Sequence, residues 1–423
     1  MKHKAIFVAL AAVGAIASTT ALAAADPAMI AARQKIFGVE NVDANTGAIK
    51  KDKVIFSWLG HISGAVSFFG RVIMMDTYIP RLEVTPGRTP LVIKDIIDMK
   101  PEAAFISHGH SDHADNAAFI AAKTGANLYM SPEACATAQA ALTRMKNDPF
   151  MQADPFFAIP QSTTISCTGV TTAGSVPGTE VVRLTQLEPL VCINAFRALH
   201  SQAVPVDPDW GDRVVVDTPD PRDPTLFPPG VSLTPPSNPA NRLPGQQDLR
   251  QGNGIGGPDQ IDYHFTTRIS YNFTILFNSS VGAMKEGIGS NWLNGTPADG
   301  QRLLNLVRAL PNTDLNFATL SSGNTDHNAW RDHVYWAEAV RPKIMTTGHA
   351  PVGAALQYYS GFLDQLKLME QPKNAWPGFP RQFWPILRNH TDPTDVLKPE
   401  VYTPGDSVWF NPDKAAKMAQ FCS

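Results

Sequence analysis

Three histidines and an aspartate fall within six positions of "FISHGHSDHAD" (Phe105 to Asp115): His108, His110, Asp112 and His113. The chain holds only 11 histidines among its 423 residues, so chance rarely gives this pattern in an accidental polar loop. Residues two apart on an extended chain point the same way, which lets His108 and His110 aim both imidazoles at one ion. Asp112 and His113 follow as the chain turns, and can face a neighbouring ion. Imidazole nitrogen and carboxylate oxygen suit borderline metals such as Zn²⁺, at roughly 2.0 to 2.2 Å.

The surrounding pattern supplies elements that can hold such a cluster. "AAFIS" (Ala103 to Ser107) is a short apolar strand running into it, and "ADNAAFIAAK" (Ala114 to Lys123) has helical composition closed by Gly125. "NLYMS" (Asn127 to Ser131) is a second strand, and Pro132 to Lys146 a helix with proline in its first turn. Strand, helix, strand, helix is the signature of a βαβ unit, whose loops gather at strand ends. Upstream, "VIFSWL", "AVSFFG" and "RVIMMD" read as consecutive antiparallel strands between Val54 and Asp76. Downstream, "TTIS", "EVVRL", "LVCINAFRAL", "DYHFTTRIS", "NFTILFNS", "DLNFATLS" and "PKIMTTGHAP" read as strands, with helices near Gly300 to Leu310, Asn328 to Val340 and within "YYSGFLDQLKLM".

"SHGHSDHAD" closely resembles the His-x-His-x-Asp-His signature of the metallo-β-lactamase superfamily. "WLGHISGAVSFFGRVIMMDTY" (Trp58 to Tyr78) resembles the hairpin of the branch containing ascorbate-6-phosphate lactonases and N-acyl phosphatidylethanolamine phospholipase D, where a Gly-His pair precedes a strand and the next strand ends in Asp. Here those residues are Gly60, His61 and Asp76. The resemblance covers most of residues 54 to 355 outside a proline-rich insert, and implies an α/β fold: an αββα sandwich of two mixed β-sheets with outer helices. It also implies metal ligands from distant strand ends, offered by His200 in "AFRALHS" and His349 in "TTGHAP". The implied set is His108, His110 and His200 for one ion, and Asp112, His113 and His349 for a second. One position departs. Where the branch places a bridging aspartate, this chain has Ser280, or Ser279 if the register shifts. A subclass of true metallo-β-lactamases also has a serine there.

A bound ion would lower the pKa of water from ~15.7 toward ~7 and give hydroxide near neutral pH. On this reading His110 and Asp112 carry catalysis, Asp112 orienting the nucleophile and accepting its proton. Asp76 is the candidate partner that fixes a histidine tautomer, with His61 beside it; a capping role fits Asp76 as well. His327, in "GNTDHNAWRDHVYW", can reach a substrate from a loop, whereas His333 reads as a surface or core residue of the following helix. The reaction class is hydrolysis of an ester, lactone or phosphodiester, with one or two zinc ions and iron or manganese not excluded. The alternatives are a β-lactamase, a non-catalytic metal- or ligand-binding member, and redox chemistry on iron, since fold alone does not set the reaction.

Composition narrows the partners. Thirty-five basic residues against 38 acidic ones, with no basic run, give no electrostatic case for nucleic acid. A small-molecule or lipid-like substrate is expected, and the oligomeric state stays open. Residues 1–25 are laid out as a signal peptide, with Lys2 and Lys4, a short apolar core and small residues at Ala21, Ala23 and Ala25. That core is short of the ~20 residues a span needs. The expected product is a periplasmic or secreted protein of residues 26–423, without a transmembrane segment, forming one hydrolase domain with a C-terminal extension at 356–423. Residues 204–259 hold 12 of the 35 prolines and seven glycines, and read as an insert that is either a lid or disordered. Four cysteines in an oxidising compartment permit disulfides. Cys167 and Cys192, both in strand-like runs, are the pair expected, with free buried cysteines as the alternative.

Overall fold

Alternation along β1 (Val54–Gly60) shows how the layers form. Val54, Phe56 and Trp58 enter one buried cluster, while Ile55 and Leu59 enter another on the opposite face. In this computed structural model the described residues are 26–79, 91–202, 259–319, 329–349, 362, 381–383 and 399–423. The leader, all of the insert except Asp259, and most of 356–398 lie outside them, as does His327.

In the first sheet β1 pairs antiparallel with β2 (Ser63–Phe68), and β2 with β3 (Arg71–Met75). The sheet then runs parallel through β4 (Ala103–Phe105), β5 (Asn127–Met130) and β6 (Cys167–Gly169). Its outer face is covered by α1 (Pro27–Phe37), α2 (Ile93–Met99), the short α3 (Ser111–Ala114) leading into α4 (Ala117–Thr124), then α5 (Pro132–Asn147) and α6 (Pro149–Ala153). In the second sheet β7 (Val181–Leu184), β8 (Val191–Arg197), β9 (Ile261–Thr267) and β10 (Thr274–Asn278) are antiparallel neighbours. From β10 the sheet continues parallel through β11 (Leu315–Thr319), β12 (Ile344–Gly348) and β13 (Arg381–Phe383). α7 (Pro297–Ala309) and α8 (Ala329–Val340) pack on its outer face through Leu303, Val307 and Trp336. The inner faces meet through aromatic pairs: Phe56 with Phe317 at 4.9 Å, Phe105 with Phe265 at 5.1 Å and Phe68 with Phe265 at 5.6 Å. The architecture is the expected αββα sandwich of two mixed sheets. Each is seven-stranded among the described residues, once β14 (Glu400–Tyr402) joins β1.

Several local readings need correction. Residues 163–166 are not strand, and β6 begins at Cys167 instead. The helix expected from Ala114 is broken at Asn116, whose φ is 70°, so α3 and α4 are separate. The Cys167–Cys192 pairing does not form; the disulfides are Cys135–Cys167 and Cys192–Cys422. Cys167 belongs to the first sheet and packs with the helical layer, where Cys135 on α5 meets it. Cys192 alternates with the inward-facing Val191 and Ile193 and so points out of the second sheet, toward α9 (Lys414–Phe421). The thickness of the sandwich separates the two. Residues 399–423 of the C-terminal extension pack against the sandwich. Tyr402 stacks on Phe273 at 4.8 Å, and the Lys414 ammonium reaches Asp314.

One stability prediction arises here. Gly125 ends α4 at φ 76°, and nothing lies within 4 Å of the place a Cβ would occupy. Gly125→Ala therefore carries only the left-handed backbone penalty, a loss of about 1 kcal/mol in urea denaturation with unchanged m-value.

Candidate metal centre

The parallel pairing of β3 with β4 and of β10, β11 and β12 puts the carboxyl ends of these strands at one edge of the sandwich. His108 and His110 follow β4, His200 follows β8, Ser279 and Ser280 follow β10, and His349 follows β12. His61 comes from the β1–β2 turn and Asp76 from the end of β3. Three of these residues sit in left-handed backbone: His61 at φ 50°, Asp76 at 53° and His349 at 60°. Such conformations persist for non-glycine residues where the surroundings over-determine them. Here the His61 carbonyl accepts from Trp58 Nε1 at 2.7 Å and from the His349 amide at 2.9 Å, and the Asp76 amide donates to Phe105 at 3.0 Å.

Two groups of donor atoms result. The ligand atoms of His108, His110 and His200 lie within 4.8 Å of one another, and so do those of His61, Asp112 and His349. In the second group His349 Nε2 is 3.1 Å and His61 Nε2 3.6 Å from Asp112 Oδ2. His113 lies alongside, its Nε2 3.7 Å from the same oxygen. The geometry thus brings together all six residues of the expected ligand set and adds His61. Ser279 and Ser280 line the same cavity, but Ser280 Oγ accepts from the Ser201 amide at 2.8 Å and Ser279 Oγ lies 3.3 Å from His108 Nδ1.

Hydrogen-bond partners fix the imidazole tautomers. His200 Nδ1 is 3.2 Å from the Ser201 carbonyl, which can only accept, so Nδ1 carries the proton and Nε2 the lone pair. Ser290 Oγ, 2.7 Å from the same nitrogen, is a second acceptor. His113 Nδ1 donates to Asp76 Oδ2 at 2.7 Å. Asp76 also takes the Ser107 amide at 2.7 Å and the Ser107 hydroxyl at 2.8 Å. This is the carboxylate–histidine pairing that orients a metal ligand. Having given its proton to Asp76, the Ser107 hydroxyl can only accept from His108 Nδ1, 3.2 Å away. His108 and His200 therefore present lone pairs to each other, Nε2 to Nε2, at 3.2 Å. Facing lone pairs repel unless a cation lies between them, and two nitrogens on a tetrahedral ion at 2.0 to 2.1 Å stand about 3.3–3.4 Å apart. The donor set fits a borderline divalent ion.

Burial acts on the acids and the imidazoles alike: it pushes the Asp76 carboxyl well up, against the Ser107 hydrogen bonds that favour its ionised form. Burial, reinforced by the neighbouring imidazoles, pushes the pKa values of His108 and His61 well down and that of His200 to about 3. His113 is also pushed well down by burial, against the pull of Asp112. These rings stay neutral and keep their lone pairs. Burial works to raise the Asp112 carboxyl, but the His349 hydrogen bond works against it, and Asp112 is held well below the usual range.

Sequence reasoning missed part of the cavity. Asp332 and His333 on α8 line it together with His110 and Asp112, although His333 reads from sequence as a surface or core residue. Asp332 is held by Arg331 Nε at 3.1 Å and accepts from the Met284 amide at 3.0 Å. Tyr263 lies between the sheets and donates to the Tyr129 and Ile106 carbonyls.

No family model matches the chain, and no curated protein matches it. Solved structures do. Igni18, described as a novel metallo hydrolase from Ignicoccus hospitalis, is 11% identical with a TM-score of 0.43; the match covers 83% of this chain and 98% of that one. The metallo-β-lactamase fold protein YhfI from Bacillus subtilis is 8% identical over 83% of this chain and 100% of its own, at a TM-score of 0.38. The Rm3 metallo-β-lactamase is 15% identical over 77% and 96%, at 0.29. At such distances these are likenesses to other proteins, and the reading of the site rests on this chain's own geometry.

Proposed function

We propose that the chain is an exported, metal-dependent hydrolase, most naturally a zinc enzyme, acting on an ester, lactone or phosphodiester. The observation that carries this reading is the facing pair of Nε2 lone pairs on His108 and His200. A divalent ion held there supplies Lewis acidity, lowering the pKa of water from ~15.7 toward ~7 and polarising a carbonyl or phosphoryl oxygen. His108, His110 and His200 would hold one ion. Asp112, His349 and His61 would hold a second, with His113 beside them and braced by Asp76. The Asp112 carboxylate, ionised and facing the cavity, is the group that orients a water nucleophile and takes its proton. Asp332 and His333 also line the cavity, where they can meet a substrate's remote part.

Two disulfides support export, because such bonds persist in oxidising compartments. Among the described residues no helix is long and apolar enough to cross a membrane. The β-lactamase alternative is kept by the serine at the position of the bridging aspartate. A panel of chromogenic esters, lactones, phosphodiesters and a cephalosporin, assayed before and after chelation, tests the reading. Turnover of at least one of the first three, lost on chelation and restored by zinc, is the expected result. Turnover of the cephalosporin alone would make the protein a β-lactamase. No turnover of any substrate by zinc-loaded protein would favour a binding protein.

A further inference from the structure

A chain of buried polar groups runs from the candidate metal centre into the outer face of the second sheet, and nothing in the hydrolytic reading uses it. Asp262 on β9 is fully buried, and its Oδ1 accepts from Gln260 Nε2 at 2.6 Å. The Ile261 carbonyl, which can only accept, lies 3.4 Å from the same nitrogen. The Ile261 carbonyl has no proton to give in any state, and it turns the nitrogen end of the amide toward both acceptors. The amide oxygen of Gln260 is therefore turned toward Ser279, whose hydroxyl donates to it at 3.2 Å. With its proton committed there, Ser279 Oγ can only accept from His108 Nδ1, 3.3 Å away. Gln260 and Asp262 are fully buried, and Ser279 is buried where it lines the cavity.

We propose that Asp262, Gln260 and Ser279 form a positioning relay that keeps the Ser279 proton off His108 Nδ1, so that with Ser107 it holds His108 as the Nδ1–H tautomer and leaves its Nε2 lone pair for a divalent cation. This inference rests on the metal-centre reading above. It also explains what Ser279 does where a bridging carboxylate is missing. The serine sets the polarity of a ligand histidine instead of touching an ion. Ser107 offers His108 a second acceptor. Loss of the Ser279 hydroxyl alone therefore leaves the tautomer in place. Loss of the Gln260 amide does more, because it frees the Ser279 proton to turn toward His108 Nδ1 and drive the ring to the wrong tautomer.

The test is zinc affinity by competition with a chromogenic chelator, on the full chain and on Gln260→Met, Ser279→Ala and the double variant. Gln260→Met should weaken zinc binding about 10–100-fold, the range typical of groups that orient a metal ligand. Ser279→Ala should weaken it less than about threefold, and the double variant should match Ser279→Ala, a non-additivity that a packing defect does not produce. The second measurement needs no variant: long-range ¹⁵N–¹H spectra of histidine-labelled, zinc-free protein should show His108 protonated on Nδ1. Zinc binding by Gln260→Met within twofold of the unaltered chain overturns the relay alone, whereas His108 protonated on Nε2 overturns both the relay and the facing lone pairs on which the metal-centre reading rests. An unaltered chain that takes up no zinc overturns the metal-centre reading as well.

Discussion

Replacing His110 by alanine is expected to abolish metal uptake at the His108–His110–His200 group, and with it hydrolysis of any substrate the intact chain turns over. The His110 carbonyl accepts from the His113 and Ala114 amides, but its ring makes no hydrogen bond among the described residues. Its ring stands 4.8 Å from His108 and 4.9 Å from His200, edge to face with both, as a third nitrogen around a common point. The loss in kcat/KM should exceed the ~10–100-fold typical of removing a group that only orients a ligand. Folding should be preserved, because His110 is half-buried at the cavity mouth and not part of the aromatic core. His349→Ala separates the two donor groups. It removes a partner of Asp112 while leaving His108, His110 and His200 intact. Metal lost from His110→Ala but fully retained by His349→Ala would leave a single-ion centre and remove His349 from the ligand set.

The second large effect concerns stability. The Cys192–Cys422 disulfide spans 230 residues and fastens the chain's last helix to the outer face of the second sheet, whereas Cys135–Cys167 spans 32. In the chain-entropy picture a cross-link stabilises by restricting the unfolded chain, and more so for a longer loop. The Cys192→Ala/Cys422→Ala double variant should lose about 2–5 kcal/mol, exceeding the Cys135→Ala/Cys167→Ala loss by about 1–2 kcal/mol. Equilibrium urea denaturation of both variants checks this. Equal losses would show that native packing around the bridges, not loop length, sets their worth.

What could be read from sequence was local. His108, His110, Asp112 and His113 are adjacent in the chain, and the strand–turn pattern around them already implies a common direction. The antiparallel run of β1, β2 and β3 was legible because short apolar runs rich in β-branched and aromatic residues are punctuated by Gly60, Gly64 and Gly70, and they are continuous because both faces are buried. His200 and His349 needed a family pattern, since nothing within a few residues of a lone histidine at a strand end tells which way it faces. The cysteine pairing failed because strand-like sequence around Cys167 and Cys192 carries no information about which sheet each joins. The part of the site contributed by Gln260, Asp262, Asp332 and His333 was hidden for a related reason. On β9 the residues Asp262, His264 and Thr266 all face a buried layer, so their polar alternation reads from sequence as an ordinary solvent-facing edge. β14 was missed because three residues that complete a sheet edge have no period of their own.

The most direct measurement of the central claim is the metal content of the purified chain, prepared without chelator and analysed by elemental mass spectrometry. The geometry predicts about two equivalents of a divalent metal, zinc foremost, one for each donor group around His108 and Asp112. Protein that carries no metal, and regains none when zinc is added to the folded chain, would contradict it. The facing imidazoles of His108 and His200 would then need a proton, not a cation, between them.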